Sequence, residues 1–364
     1  MDETALSNDW RALAACLPAD LEGSARQHRF IRRSTGRQDA ETLLRLILMH
    51  AAGGLSLSQT SARARARGWA HTSSVALHKR LRASGPWLEA LTRHLLSEQR
   101  RVLDEMPALK GKVLRIVDAT DIQEPGSTGT DWRLHYSLRL PDLACDHFEL
   151  TDARGAERAS RFSMAPGEVI LADRGYCRRG DVAQVLDAQA DVVVRLAPSN
   201  FPLQDDQGKA FNVLAFCRGM AVSQRRECSV WFEHGGWVRP LRLCVLRKTE
   251  AATQETQRKL RRRSTRNQST LKEVTLESAT YVLILTSLPA KEWSTAQILE
   301  LYRCRWQIEL AFKRLKTLLH AGHVPKSSDS TARAWLQAKV LTALLVETLL
   351  SDSRSFSPSG ASLD

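Results

Sequence analysis

The chain has 364 residues, of which 43% are hydrophobic and 26% are charged. This is the composition of a globular protein with two or three domains. No stretch approaches 18 consecutive apolar residues, which excludes a membrane-spanning helix and predicts no membrane partner. The first ten residues, MDETALSNDW, are acidic and polar, which argues against a secretory signal peptide.

Charge is the strongest global feature of the sequence. The net charge of +13 and the isoelectric point near 9.8 indicate a polyanionic partner, most plausibly nucleic acid. The alternative is a basic protein that binds no polyanion. The seven cysteines are scattered and include no C-x-x-C pair. This pattern argues against a disulfide framework or a zinc site and favours a reducing cytoplasm.

Residues 1–105 are predicted to form a helical N-terminal DNA-binding domain. DAETLLRLILMHAAGG (39–54) has helical apolar spacing and ends at a glycine pair. A short helix, a turn and a second, basic helix follow, an order that resembles a helix-turn-helix. Lys79 and Arg80 on the second helix are therefore candidate DNA contacts. The alternative is an ordinary basic helix face in contact with solvent.

The sequence changes character in residues 106–197. KVLRIVDATDI (112–122) is an apolar, β-branched run that ends in acids, as buried strands do. DWRLHYSLRLPD and HFELTD are two further strand candidates, and GEVILADRGY is a fourth. A short helix, RGDVAQVLDAQA, and a fifth strand, DVVVRLA, follow. Three successive strands and then strand–helix–strand indicate a mixed α/β sheet.

The remainder of the chain divides into three segments. Residues 198–280 are predicted to be a β-rich insertion, and its run 257–272, with seven Lys or Arg after position 257, is expected to be a flexible basic loop. Residues 281–325 return to the α/β core with a strand and a helix that starts near Ser294. Residues 326–364 are expected to form a C-terminal helix and, from 351 on, a disordered tail.

The helix near Ser294 contains YRCRWQIELAFKRLK (302–316). At about 100° per residue, Tyr302, Arg305, Glu309 and Lys316 fall within an arc of roughly 60°. A neighbouring arc is apolar and is predicted to pack on a core. The alternative is an ordinary amphipathic helix in which Arg305 and Glu309 form an i,i+4 ion pair.

Two further acids follow predicted strands. Asp118 ends the first strand of the sheet and Asp173 ends the fourth. If those strands are adjacent and parallel, the two carboxylates lie side by side and repel each other, and a divalent cation relieves that repulsion. Oxygen ligands favour Mg²⁺ or Mn²⁺ over zinc. Glu309, on a helix packed against the sheet, would complete a two-metal site for phosphodiester chemistry.

The spacing Y-x2-R-x3-E-x6-K at Tyr302, Arg305, Glu309 and Lys316 resembles the signature of the IS4-type DDE transposases of bacterial insertion sequences. IVDATDI is similar to that family's first-aspartate strand, and ILADRGY resembles its second-aspartate motif. The resemblance covers roughly residues 40–345. It implies an RNase H-like catalytic core, a mixed sheet flanked by helices, with a β-rich insertion and an N-terminal all-helical DNA-binding domain.

The resemblance also implies roles for individual residues. Asp118, Asp173 and Glu309 match the catalytic acids that hold two Mg²⁺ ions, for which Mn²⁺ can substitute. Tyr302, Arg305 and Lys316 match residues that hold phosphates of the transposon end, which makes them candidate DNA contacts. Arg174, next to the second aspartate, matches a basic residue that contacts DNA or neutralises charge.

The leading interpretation is therefore a transposase that binds terminal inverted repeats, cuts them and joins 3′-hydroxyl ends to target DNA. Its partners are double-stranded transposon ends and target DNA, and a homodimer is expected when two ends are paired. Its place would be the bacterial cytoplasm, in association with the nucleoid. Two alternatives stay open: a truncated, catalytically idle copy that inhibits transposition, and a hydrolytic nuclease on a related fold.

Overall fold

The computed structural model describes residues 10–31, 39–104, 111–124, 126–127, 129–140, 144–318, 324 and 328–355. In this part of the chain, no helix has both the length and the apolar character needed to cross a membrane. The last residues of the tail expected to be disordered, 356–364, lie outside the described part.

The N-terminal region is helical, as predicted. Its helices are α1 (Leu21–Gln27), α2 (Ala40–Ala51), α3 (Leu57–Ala66), α4 (Ser74–Ala83) and α5 (Gly85–Asp104). The first four begin where short polar side chains accept a hydrogen bond from a backbone N–H of the first turn. These N-cap residues are Asp20, Asp39, Ser56 and Ser73.

One eight-stranded mixed sheet forms the centre of the molecule, which confirms the predicted α/β fold. Its strands are β1 (Val113–Ile122), β2 (Trp132–Leu140), β3 (Ala144–Asp152), β4 (Glu168–Ala172), β5 (Asp191–Arg195), β6 (Arg225–His234), β7 (Trp237–Arg247) and β8 (Tyr281–Thr286). The strand order is β3-β2-β1-β4-β5-β8-β7-β6. β1, β4 and β5 are parallel, and β2 and β3 are antiparallel to their neighbours. These first five strands have the arrangement of the predicted RNase H-like core.

The remaining helices follow the strands along the chain. They are α6 (Arg179–Asp187), α7 (Val213–Cys217), α8 (Glu250–Arg266), α9 (Glu273–Ser278), α10 (Thr295–Arg303), α11 (Trp306–Leu318) and α12 (Asp329–Ser355). The C-terminal helix α12 packs on α2, α4 and α5. It continues through Ser355, so the start of the tail expected to be disordered is helical.

Residues 198–280 contribute to the same sheet. β6 and β7 form an antiparallel hairpin, and β7 pairs with β8 next to the core strand β5. Gly235 and Gly236 form the turn of this hairpin with φ of 62° and 78°, a conformation that glycine adopts at no steric cost. Helices α7, α8 and α9 complete the segment.

The prediction of a flexible basic loop at 257–272 is wrong, because α8 covers residues 250–266. Thr249 caps the helix, accepting a hydrogen bond from Ala252 N. Glu255 lies 2.5 Å from Arg258 and 3.5 Å from Lys259, which stabilises the helix by i,i+3 and i,i+4 ion pairs. Arginine and lysine also have high intrinsic helix propensity, a property that net charge alone does not reveal.

The sheet has a hydrophobic core on each face, because strand side chains alternate. On β1, Leu114 and Ile116 belong to the core that includes α5, α10, α11 and α12. Val117 belongs to the core that includes α6 and α7. Asp118, two residues after Ile116, therefore lies on the face that α11 covers.

A buried ion network connects three strands of the sheet. The Arg115 side chain on β1 is 1% exposed; its Nε lies 2.8 Å from Asp146 Oδ2 on β3 and its Nη1 lies 2.9 Å from Glu168 Oε2 on β4. Arg115 Nη1 also donates to the carbonyl of Ser163. Removing one partner of such a network leaves uncompensated charges away from water.

We therefore expect Arg115→Met to lower the free energy of unfolding by about 3–5 kcal/mol, measured by chemical denaturation. The matched control is Arg218→Met, which removes an exposed pair with Glu277 and is expected to lower the free energy of unfolding far less, because solvent screens that pair. Equal losses in the two variants would contradict a stabilising role for the buried network.

His135 on β2 is fully buried, and its Nε2 lies 3.0 Å from Thr151 Oγ1. Burial, followed by the charges of Arg161 and Arg133, lowers the pKa of His135 to about 4. The unfolded chain therefore binds a proton between pH 6.5 and pH 4 that the folded chain does not bind. Stability is lost as the pH falls through this window.

We expect His135→Gln to reduce the difference in unfolding free energy between pH 7 and pH 5 by about 2 kcal/mol, since each pKa unit corresponds to about 1.4 kcal/mol. Denaturation at both pH values measures that difference, which is insensitive to any constant cost of the substitution. His78→Gln, at an exposed position of α4, should leave it unchanged. If His135→Gln showed the same difference in unfolding free energy between pH 7 and pH 5 as wild type, His135 would not be the source of the pH dependence.

Candidate active site

Asp118 and Asp173 lie next to each other at one edge of the sheet. β1 and β4 are parallel, and their last paired residues are Val117 and Ala172. The next residue along each chain segment is the aspartate. Because side chains alternate, both aspartates lie on the face opposite to Val117 and Ala172, the same face as Ile116 and Leu171. The sheet therefore brings these two predicted residues together on the face that α11 covers.

A tight turn fixes Asp173 directly after β4. Asp173 caps a short 3-10 turn (Arg174–Tyr176), and its Oδ1 accepts a hydrogen bond of 2.7 Å from Gly175 N. Asp118 Oδ1 similarly accepts a hydrogen bond of 2.8 Å from Ala119 N. Both carboxylates are thus oriented by the backbone. The expectation that Asp118 ends its strand is wrong, because β1 continues to Ile122 through its pairing with β2, whereas Asp173 directly follows the last residue of β4.

The environment of Asp118 is unfavourable to its negative charge. Burial, with a contribution from the nearby charge of Asp173 and a smaller one from Glu157, raises the pKa of Asp118 to about 7. The Ala119 N–H and Arg305 oppose this shift. The two aspartates therefore repel each other in a poorly solvated place, which is an environment that a cation would stabilise.

The predicted single helix that starts near Ser294 is in fact two helices, α10 and α11. They are separated at Cys304 and Arg305, whose N–H groups bond to the carbonyls of Leu301 and Tyr302, three residues earlier. This tight turn replaces the regular α-helical pattern. Tyr302 and Glu309 therefore lie on different helices, and Arg305 lies at the junction, so the four signature residues do not share one helical arc.

Arg305 connects the helix to the sheet. Its Nη1 lies 3.3 Å from Asp118 Oδ2, and its Nη2 donates to Glu309 Oε1. The Asp118 side chain is 14% exposed, whereas that of Glu309 is 58% exposed. The interpretation of Arg305 and Glu309 as an i,i+4 pair is confirmed, but the same guanidinium also holds the first aspartate.

A cavity of about 220 Å³ opens beside Asp173. Among its lining residues are Arg174, Tyr302 and Arg305, three of the predicted DNA contacts, together with Thr256 and Leu260 of α8. Burial raises the pKa of the Tyr302 hydroxyl, which is therefore a hydrogen-bonding group at neutral pH. The cavity thus places cations and a phenol next to a carboxylate.

Lys316 lies farther along α11 and is half-buried. Burial lowers its pKa, and the charge of Asp121 partly opposes this. Lys79 is exposed on α4, whereas Arg80 is half-buried and donates a hydrogen bond of 3.2 Å to the carbonyl of Phe30. Neither residue of α4 takes part in the described contacts of the acidic residues.

Sequence reasoning missed three charged residues near this site. Arg195, the last residue of β5, lines the cavity, and its place at the carboxyl end of a predicted strand was a usable signal. Lys248 donates to Ala279 O and Thr256 Oγ1; burial, followed by Arg195 and Arg174, lowers its pKa to about 8. Glu157, between β3 and β4, is near Asp173, and nothing in the sequence around it indicated a place at the site.

The donor groups fit a divalent cation. All three acids offer oxygen, the ligand that Mg²⁺ and Mn²⁺ prefer, and the Arg305 guanidinium already places a positive charge between Asp118 and Glu309. Among the described residues, no three His, Cys, Asp or Glu side chains lie together as a ready ligand set for a metal ion.

Known proteins resemble this chain along nearly its whole length. A family model described as a transposase DDE domain matches residues 149–345. The putative transposase InsL of insertion sequence element IS186A from Escherichia coli K12 is 35% identical over 362 residues, covering 97% of each chain. The transposase of insertion sequence element IS421 from Escherichia coli is 35% identical over 363 residues with the same coverage.

A solved structure, the piggyBac transposase synaptic complex with hairpin DNA, matches with a TM-score of 0.47 and 9% identity, over 94% of this chain and 73% of that chain. The assignment depends instead on the family model and on the two full-length relatives. They agree with the IS4-type resemblance of the sequence, and the chain belongs to the DDE transposase family.

Proposed function

We propose that this transposase binds the terminal inverted repeats of an insertion sequence, cleaves them and joins the freed 3′ ends to target DNA, using two divalent ions, preferably Mg²⁺. The transposase DDE domain generally works with divalent metal ions. The observation that carries the proposal is the register of β1 and β4, which sets Asp118 beside Asp173, with Glu309 joined to Asp118 through Arg305.

Asp118, Asp173 and Glu309 are the residues that would hold the ions. Bound there, divalent ions supply Lewis acidity to the nucleophile and to the leaving oxygen. In the cleavage step, water attacks phosphorus and the 3′ oxygen of the transposon strand leaves. In the joining step, that 3′ oxygen attacks a target phosphodiester, and the 3′ oxygen of the target strand leaves.

The cations around the cavity are the groups that would hold the DNA backbone. Arg174, Arg195 and Arg305 surround the space beside Asp173, and an arginine fork binds a phosphate with two parallel hydrogen bonds. Tyr302 adds a hydroxyl at the same place, and Lys316 extends the basic surface along α11. The scissile phosphate would thus lie between these cations and the three acids.

The N-terminal helices and the assembly state are further parts of the proposal. The order of α3, turn and α4 supports end recognition by α4, with Lys79 and Arg80 as contacts. Because Arg80 also holds the Phe30 carbonyl, Lys79 is the cleaner probe. Two ends must meet before transfer, so we expect a homodimer on paired ends, acting on DNA of the bacterial nucleoid.

The decisive experiment is a strand-transfer assay with a pre-cut inverted-repeat duplex, a supercoiled target plasmid and Mg²⁺ or Mn²⁺. Glu309→Gln should lower joined product by at least about 100-fold, because it removes a negative oxygen ligand from the reacting centre. Glu300→Gln, which breaks an exposed pair with Arg303 on α10, is the matched control and should join like wild type.

Equal joining by Glu309→Gln and wild type would refute the assigned site. An uncut duplex in the same assay tests the nuclease alternative, since cutting without any joined product would favour it over transposition.

End recognition by α4 is tested by the salt dependence of binding to the same duplex. Lys79→Ala should weaken binding and reduce the slope of log affinity against log salt by about one, the effect of one lost phosphate contact. Glu309→Gln should keep the wild-type slope in EDTA. An unchanged affinity and slope in Lys79→Ala would remove Lys79 from the DNA interface.

A further inference from the structure

A fourth carboxylate lies against the turn that holds Asp173. A Cβ placed on Gly175 would lie 2.1 Å from Glu157 Oε2 and 3.0 Å from Asp173 Oδ1. The two oxygens are therefore within about 5 Å of each other, on either side of a residue without a side chain. Glycine at position 175 is what allows the Glu157 carboxylate to come this close to the backbone.

Glu157 has no partner that explains its position. It is half-buried, yet it accepts no hydrogen bond and forms no ion pair within the described residues. Two cations, Arg133 and Arg178, act on its charge from nearby, but neither pairs with it in the described part of the chain. Arg133 is already engaged with Asp121 Oδ1 at 3.0 Å and with the carbonyl of Gly155 at 2.8 Å. A half-buried carboxylate without an ion-pair partner, held close to a second carboxylate, is unfavourable in the folded chain.

The geometry indicates what compensates for this cost. Mg²⁺ binds oxygen at about 2.0–2.1 Å and usually keeps several waters. Those waters need hydrogen-bond acceptors, and carboxylates in that role orient the ion and its ligands. A carboxylate oxygen within about 5 Å of Asp173 Oδ1 is at the right distance to accept from a water on an ion that Asp173 holds.

We infer that Glu157 is a positioning residue of the metal site: its carboxylate accepts a hydrogen bond from a water on the divalent ion held by Asp173. The inference rests on the proposed function, because it needs an ion at Asp173. It assigns Glu157 no direct contact with the DNA, so its loss should change metal binding and leave DNA binding intact.

The test is Mn²⁺ binding by the full chain without DNA, followed by electron paramagnetic resonance. Glu157→Gln keeps the shape of the side chain, removes its charge and should weaken Mn²⁺ binding about tenfold or more, the usual effect of losing such a partner. Glu157→Asp keeps the charge on a shorter side chain, so its Mn²⁺ affinity should lie between those of wild type and Glu157→Gln. Glu149→Gln is the matched control, since that carboxylate on β3 pairs with Arg161 at 2.8 Å; it should bind Mn²⁺ like wild type.

Two further measurements separate metal positioning from a purely structural role. In EDTA, the melting temperature of Glu157→Gln should equal or exceed that of wild type, since the substitution removes a charge held close to Asp173, and its affinity for the inverted-repeat duplex should match wild type. In the strand-transfer assay, the Mn²⁺ concentration for half-maximal joining should rise by the same factor as the dissociation constant. Wild-type Mn²⁺ affinity in Glu157→Gln, or a lower melting temperature in EDTA with unchanged Mn²⁺ affinity, would overturn the inference.

Asp173→Asn distinguishes the failure of this inference from the failure of the proposed function. If Asp173→Asn loses Mn²⁺ binding and Glu157→Gln does not, Glu157 has no role at the ion and the proposed site stands. If both variants bind Mn²⁺ like wild type, the ion does not bind at Asp173 and the proposed site itself is wrong.

Discussion

The repulsion between Asp118 and Asp173 is the constraint on which the rest of the site depends. The parallel register of β1 and β4 places these carboxylates side by side, and burial removes much of the water that would screen them. Such a pair does not stabilise the folded protein. It persists because the sheet fixes both backbones and because Arg305 offsets part of the charge.

The scaffold below the site is built to keep that register. Arg115, three residues before Asp118 on β1, pairs with Glu168 on β4 and with Asp146 on β3. A shift of one residue along either strand would turn every side chain to the opposite face. It would also break the buried network of Arg115. This network therefore stabilises the register of β1 and β4 that places the two aspartates side by side.

The parts of the fold that local sequence dictates were predictable. Asp118 and Asp173 each follow an apolar run within or directly after a strand, and the helices begin at short polar caps such as Asp39 and Ser73. These features depend on neighbouring residues alone, so spacing and composition reveal them. The α/β class follows from the succession of strands and helices along the chain, whereas the adjacency of β1 and β4 could only be stated as a condition.

The features that escaped prediction depend on contacts between distant segments. The junction at Cys304 and Arg305 interrupts a stretch whose apolar periodicity is continuous, and the ion pair of Arg305 with Asp118 crosses from helix to sheet. Glu157 comes close to the turn at Gly175 only in the folded chain. In α8, the ion pairs of Glu255 form only once the chain is helical, whereas the sequence shows just a dense run of positive charge.

The position of Arg305 also explains why a basic segment retains Glu309. The guanidinium lies between Asp118 and Glu309 and lines the cavity beside Asp173. In the proposed function, the acids and a DNA phosphate would therefore compete for it. A phosphate that drew Arg305 toward the cavity would leave the acids with less positive charge, and a divalent ion would then bind them more favourably. By linkage, an ion at the acids would release Arg305 for the phosphate to the same degree, so the two proposed binding events would favour each other.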